Sequence, residues 1–553
     1  MLWRSLCRTE FRYWDSKHHI GQKFRGNVGD VDWKTLYLFR KNVEFRTISI
    51  LDSILDVQVD RIEKFERIAE FGYDAKETLV QQCHTPGTIE DVLARRFYAN
   101  AVLDHIHRSR ALEEWWSLAT GDQVPLERAL GAFDLFVLHD QPGDLLEFFD
   151  ELVDHLRIEF PNIETGSTRH KALAAVKFLR RHNLTGIANE ICYRDLQNNY
   201  IGIALRDPDH PSLPLISVAI YCAIANRLGL DARPCGMPNH VHAMVFPPVG
   251  ETLDGRPSTH ESDDCGPIYL DPYQLDKEVP VDNLQSMLES WGISPIDSSH
   301  YLIDTSVGNI VLRTSRNILA TVHEFRGHGG AMGDTGHPTI RLYANPFADM
   351  DNAFYSALWA NFMLSSPLPS VDANSRRQFV PLLLERFERL YPMDASLIEK
   401  YICPPFNNSD NPEYWDLHEA LRVVRAADST PKQLRLRNVP GVRERVKYKV
   451  GQVFRHKRYG YMAVITGWDV ECGMNSDWMA HNQIDSLSRG RHQSFYHALV
   501  EDTSMRYVAE ENVEIMEPEM PVSLMSLAGR YFKRWDKGRH IFISNIRDEY
   551  PED

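Results

Sequence analysis

The chain has 553 residues, 43% of them hydrophobic and 25% charged, with a formal net charge of −16. Length and composition fit a globular chain of roughly three or four domains, and the acidic balance excludes a protein built wholly around nucleic acid. No run of about eighteen apolar residues is present to span a membrane, and the opening "MLWRSLCRTEFRYW" lacks the apolar core of a secretory signal. The eight cysteines are scattered with no C-x-x-C pair, a pattern of reduced thiols in cytosol or nucleus.

Residues 1–45 begin with Leu2, Trp3, Leu6, Phe11 and Trp14 at helical spacing, followed by an aspartate-capped helix in "DVDWKTLYLFRKN". Residues 46–126 continue as helices, broken at Pro86–Gly87. Residues 127–320 start with two amphipathic helices separated at Gln141–Gly143. Next comes "HPSLPLISVAIYCAIANRLGL", apolar on every face from Ile216 to Ile224 and therefore a buried helix. Gly229 suits the left-handed cap at its end. Two strands are expected after it. One carries His240 and His242, which alternate with Val241 and Ala243 and so share a face; the other ends at Asp271, with Ile268 and Leu270 toward the core.

Residues 321–430 read as a glycine-rich loop, "HEFRGHGGAMGDTGH", and a helical connector broken at "SSPLPS" and "ICPPFNNSDNPEY". Residues 431–447 form a basic linker, 448–515 a run of short alternating strands, and 516–553 an extension. The fold class expected is α+β and multidomain: a helical N-terminus, an α/β core and a small C-terminal β-barrel.

A helix start followed by a histidine strand and an aspartate strand is the order of a cysteine–histidine–aspartate hydrolase or transferase. The cysteine works as a thiolate, favoured by the unpaired N–H groups of a helix N-terminus. Histidine serves as its base and a carboxylate orients the histidine. Span 127–320 resembles the transglutaminase-like superfamily, in the branch of bacterial SirB-type proteins. It shares their proline-led helix, their "P-x-H" strand (Pro238–His240) and their "x-D-P" strand (Leu270–Pro272). In the active families a cysteine opens that helix, and here the position is Pro214. The branch itself usually lacks the cysteine. Its arginine–glycine pair before the proline is Ser212–Leu213 here, which places any function of that arginine in doubt. Cys222 lies inside the apolar helix and reads as a core residue; Cys235 precedes the histidine strand and is the remaining candidate thiol. Pro214, His240 and Asp271 thus read as a degenerate triad and the module as a catalytically inert binder.

Residues 448–515 resemble the HspQ/YccV-like family, also called the hemimethylated-DNA-binding domain. The matching residues are Gly451, Gln452, His456, Tyr459, Gly460, Gly467, Trp468, Asp469, Trp478, Tyr496, His497, Tyr507, Val508, Ala509, Glu511 and Asn512. The resemblance implies a small barrel, with His456, Tyr459, Trp468, Trp478, Tyr496 and Tyr507 as candidate partner-binding residues. Residues 446–515 hold eight Lys/Arg against nine Asp/Glu, which is not the excess that phosphate neutralisation needs. Just upstream, 432–449 carries seven Lys/Arg and one glutamate, so Arg435, Arg437, Arg443 and Arg445 are candidate phosphate contacts.

The first residues resemble the end of an F-box, the helical motif that docks on the adaptor of a cullin–RING ubiquitin ligase. Leu2, Trp3 and Leu6 are then adaptor-binding candidates, or they pack on the next helix. With the two later modules, the order resembles F-box only proteins that act as substrate receptors. The resemblance implies an adaptor and a cullin as partners, a protein substrate, no enzymatic step and no cofactor. A DNA-binding protein acting through the C-terminal domain is the alternative, and a live transglutaminase-like protease or transferase the third. "HEFRGH" (323–328) departs from the zinc signature H-E-x-x-H because its second histidine is five residues on, so even with His337 nearby no metal is expected.

Overall fold

A computed structural model describes residues 1–138, 145–188, 193–257, 266–327, 350–365, 376–406, 412–502 and 504–553. The chain divides into two units. One comprises Met1–Ile106, Pro392–Ser396 and His418–Asp553; the other comprises His107–Tyr391 and Leu397–Leu417. The expected break at Gln141–Gly143 and residues His328 and His337 lie outside the described residues.

The second unit is organised by the helix Pro214–Arg227. Proline fits its first turn, where an N–H would be unpaired anyway. Every residue from Pro214 to Ala225 is buried, as all-round apolarity predicts. The helix packs on Leu126–Val137, Leu145–Glu159 and Thr168–Arg181. It ends as expected at Gly229, whose φ of 77° only glycine adopts readily, while the Leu230 N–H reaches back to the Ala225 carbonyl at 3.1 Å.

The sheet that follows has strands β1 (Asp231–Pro234), β2 (Ala243–Phe246), β3 (Ile268–Leu270) and β4 (Glu278–Val279), all antiparallel and in sequence order. Two local expectations are corrected here. The histidine strand begins only at Ala243, so His240 and His242 lie on an irregular lead-in that Asn239 turns with a φ of 57°. His323 is not in a loop: the helix Val307–Gly327 runs through it.

In the first unit, Asp32 caps the helix Trp33–Asp56 by accepting the Thr35 N–H at 3.0 Å. Its stripe of Val43, Ile50, Leu51 and Ile54 buries against Phe65, Ile68, Leu79, Tyr98 and Val102. The C-terminal part of this unit holds β5 (Val453–His456), β6 (Met462–Asp469), β7 (Phe495–Val500), β8 (Met505–Ala509) and β9 (Val513–Ile515). They pair antiparallel in the order β8-β7-β6-β5-β9. No pairing of β8 with β9 is present among the described residues, so what the ladder establishes is a five-stranded sheet rather than a closed barrel.

Residues 516–553, set apart in the sequence, join the same core. Leu524, Phe532, Trp535, Phe542 and Tyr550 pack with Val453, Val464, Ile465, Trp468 and Tyr496, and β10 (Phe532–Asp536) pairs with β11 (Ile541–Ser544). Gly451, at φ 90°, lets the Phe542 carbonyl come so close that a Cβ would lie 2.0 Å from its oxygen. Among the described residues no helix is long and apolar enough to cross a membrane.

Candidate functional site

The pairing of Ala243 with Leu270 brings the residues just before β2 beside those just after β3. His240 and Asp271 meet there, His240 Nε2 standing 3.0 Å from Asp271 Oδ2. The other carboxylate oxygen accepts the Tyr273 N–H at 3.1 Å. Burial would raise the Asp271 carboxyl, but the hydrogen bond and charge of His240 outweigh it and hold it below the usual carboxylate range. His242 lies behind His240, with ring centres 4.9 Å apart. It is 2% exposed, its Nδ1 has no partner among the described residues, and burial pushes its pKa down to about 4. The two histidines lie together although no strand carries them, and the register of β2 with β3 sets them beside Asp271.

Donor atoms of His240, His242 and Asp271 lie within 4.8 Å of one another, close enough for the three to hold a divalent cation after a small contraction. Ligands about 2.0–2.2 Å from zinc sit closer together than that. As it stands, the arrangement is that of a histidine oriented by a carboxylate.

Pro214 begins the helix beside this pair. A cavity of about 460 Å³ opens there, its lining including Leu213, Pro214 and Leu215 together with Asn239 and Val241, which flank His240. Neither weighed thiol is fit to act. Cys222 is buried in the helix and burial drives its pKa far up. Cys235 is buried with its Sγ 3.3 Å from the Tyr301 carbonyl, and burial raises its pKa to about 11. Cys192 and Cys265, which the sequence reading did not weigh, lie outside the described residues.

In the C-terminal sheet the six aromatic candidates separate into two groups. Trp468 is 3% exposed, Tyr496 is fully buried with its hydroxyl accepting the Lys447 and Tyr448 N–H groups at 3.1 Å, and His456 is buried. His456 Nδ1 accepts the Arg458 and Tyr459 N–H groups at 3.2 and 3.1 Å, which shapes the tight turn. These three hold the domain together and offer no surface to a partner. Trp478 and Tyr507 are half-buried and meet edge to face at 5.9 Å, and only Tyr459, 64% exposed, is presented to solvent. Asp469, absent from the candidates, is the hub. It meets His497 Nε2 at 3.2 Å, accepts the Tyr507 hydroxyl at 2.7 Å and pairs with Arg435. Against its burial, these bonds hold its carboxyl far below the usual range.

The basic run is mostly engaged. Arg435 Nη1 donates to the Trp468 carbonyl at 2.7 Å and pairs with Asp469. Arg437 is buried and donates to Asp553 Oδ1 at 2.6 Å, to the Val446 carbonyl at 2.9 Å and to the Tyr448 carbonyl. Arg445 pairs with Glu471, and Arg443 alone of the four is exposed with no carboxylate partner among the described residues. Arg435, Arg437 and Arg445 therefore fasten the linker to the sheet, contrary to the expectation of a phosphate-contacting arm. At the N-terminus, Leu2 is exposed, Leu6 is half-buried, and Trp3 packs on Tyr37 with ring centres 5.3 Å apart.

Two family models match. Residues 144–316 match the transglutaminase-like superfamily, and residues 446–539 match "Hemimethylated DNA-binding protein YccV like". Over 398 residues the sequence is 38% identical to F-box only protein 21 of Mus musculus, covering 69% of this chain and 56% of that one. The chain is similar to F-box only protein 21. The Homo sapiens protein is 37% identical over 398 residues, covering 69% of this chain and 55% of its own. A protein of the same name from Pongo abelii is 37% identical over 136 residues, covering 25% of this chain and 22% of its own. The chain thus spans a little over half the length of the mouse and human relatives. No solved structure matches it.

Proposed function

We propose that this chain is the substrate-recognition subunit of an SCF-type cullin–RING ubiquitin ligase, with its two later modules binding protein rather than performing chemistry. One observation carries the reading. Where a transglutaminase-like enzyme would need a thiol, Pro214 occupies the first helical turn and lines the cavity, while the His240–Asp271 pair that would serve a thiol is intact. A site that keeps its orienting framework, with no thiol among the described residues of its cavity, can hold a ligand but has nothing there to form an acyl-enzyme. Similarity to F-box only protein 21 supports the same assignment, with adaptor and cullin as partners and a protein as substrate. Leu2 and Leu6 are the adaptor contacts available at the N-terminus, since Trp3 already packs on Tyr37.

The test is affinity capture of this chain, with and without an extended N-terminus, from cells expressing tagged adaptor and cullin. Retention of both proteins by the extended form is the expected result; failure to retain either overturns the assignment. The DNA-binding reading rests on the YccV-like family description, and the engagement of Arg435, Arg437 and Arg445 weakens it. Tight duplex binding that falls steeply with salt would restore it.

A further inference from the structure

The cavity beside Pro214 has a charge character that the receptor reading does not by itself require. Its described lining contains three arginines, Arg194, Arg313 and Arg316, and no carboxylate, in a chain whose net charge is −16. Arg194 is exposed and already paired with Glu324 at 3.0 Å. Arg313 and Arg316 have no carboxylate partner among the described residues. Arg313 is half-buried and donates Nη1 to the Met237 carbonyl at 2.7 Å; Arg316 is exposed and donates Nε to the Leu312 carbonyl of its own helix at 3.2 Å. Burial, and then the like charge of Arg316, lower the Arg313 pKa.

Two guanidinium groups one helical turn apart, with no acid at helical spacing to either, form a site of positive charge that no carboxylate among the described residues neutralises. The start of the Pro214 helix adds the positive end of its dipole to the same cavity. A second observation concerns an acceptor. Asn199 lines the cavity and is 3% exposed; its Nδ2 donates to the Leu196 carbonyl at 3.2 Å, but Oδ1 has no partner among the described residues. A buried amide oxygen without a donor is costly, about 1–3 kcal/mol. A bound peptide N–H would satisfy it once the Asn199 amide turns its buried oxygen toward the opening.

We propose that this cavity binds an extended peptide segment through a carboxylate, which Arg313 and Arg316 clasp while Asn199 accepts a backbone N–H of the same segment. An inorganic anion would satisfy the arginines and leave Asn199 unpaired, so a peptide fits the whole set better. The inference rests on the receptor reading and names the chemistry of its substrate: an acidic segment, contributing either an Asp/Glu side chain or a chain-terminal carboxylate.

The test is fluorescence anisotropy on the full chain with three pools of short randomised, labelled peptides. The first carries two adjacent glutamates with blocked ends; the second replaces them with glutamines; the third has the glutamines and a free terminal carboxylate. Charge-assisted hydrogen bonds are worth about 1.5–3 kcal/mol each, so the first or third pool should bind about tenfold or more tighter than the second. Preference for the first assigns a side-chain carboxylate, and preference for the third a terminal one. Arg316→Gln, whose exposed side chain bonds only within its own helix, should remove at least about tenfold of that affinity without changing thermal unfolding. Arg313→Gln should do the same, with its folding verified by the same melt. Equal binding of all three pools, no binding, or an unaffected Arg316→Gln would each overturn the proposal. Adaptor capture is independent of these readouts, so loss of peptide binding with adaptor retained removes this inference and leaves the ligase assignment standing.

Discussion

Arg437 decides between two meanings of the basic run. Its guanidinium, 8% exposed, donates to Asp553, Val446 and Tyr448, and Asp553 also accepts the Trp468 indole N–H at 2.8 Å. Arg437→Ala would leave the Asp553 carboxylate, itself 2% exposed, without its cation and would orphan two backbone carbonyls. Breaking a buried pair by removing one partner costs about 3–5 kcal/mol, and each orphaned carbonyl adds about 1–3 kcal/mol where water cannot reach it. These losses overlap, so a net loss of about 4 kcal/mol is expected, a large part of the ~5–15 kcal/mol of a typical domain. Urea denaturation gives the total, and hydrogen-exchange mass spectrometry should place the lost protection in β6 and residues 545–553. Arg443→Ala, on an exposed side chain, should stay within about 0.5 kcal/mol. If Arg437→Ala leaves stability unchanged but abolishes salt-sensitive duplex binding, the run is a phosphate arm and the structural argument fails.

Three further outcomes follow from the same geometry. His242 titrates near 4 when folded and near 6.5 when unfolded, so between those values the unfolded chain binds more protons and stability is lost as pH falls through that window. The loss is about 3 kcal/mol; His242→Phe should remove that share of the acid sensitivity in urea melts at pH 4.5 to 7, and an unchanged slope would refute its burial as a neutral ring. Native alkylation with iodoacetamide, mapped by peptide mass spectrometry, should leave Cys222 and Cys235 unmodified until denaturant is added; modification of either in the folded protein would reopen the enzymatic reading. Tyr459→Ala should leave stability within about 0.5 kcal/mol, whereas Trp468→Ala should cost about 3–5 kcal/mol. If partner capture is insensitive to Tyr459→Ala, that tyrosine is not the contact point of the C-terminal sheet.

The parts of the fold legible in the sequence were those written in local pattern. The Pro214 helix announced itself by apolarity on every face and by Gly229, and the strands between Val453 and Ile515 by four short alternating runs, the last of which divides into β8 and β9. The order of the two modules was equally readable from their motifs. Two features escaped because they depend on distant residues. His240–Ala243 alternates like a strand, yet Asn239 in the left-handed region delays pairing until Ala243, and it is the register with Leu270 that brings the histidines to Asp271. The basic run looked free because its acids are remote: Arg437 finds Asp553 across 116 residues and Arg435 finds Asp469 across 34. Aromatic residues of a family motif likewise do not declare burial, so Trp468 and Tyr496 read the same as Tyr459. Arg313 and Arg316 were missed although a signal was there, namely two arginines one turn apart on an amphipathic helix with no acid three or four residues away.

The arrangement around Pro214 also bears on why this framework, with proline opening its helix, keeps its polar parts. A scaffold with no ligand would gain stability by replacing His242, whose buried Nδ1 is unpaired, and by giving Arg313 an acid or an apolar neighbour. Each of these groups is destabilising where it stands, and they lie on separate elements: Asn199 on the turn Leu196–Asn199, His242 before β2, and Arg313 on the helix Val307–Gly327. Asn199 and Arg313 both line the one cavity, and Asn239 and Val241, also in its lining, are the neighbours of the His240 that bonds Asp271. Polar groups such as Asn199 and Arg313, brought from two elements to one opening, are what a site for a polar ligand requires before the ligand arrives. On the proposed receptor reading, that ligand would be held and released unchanged.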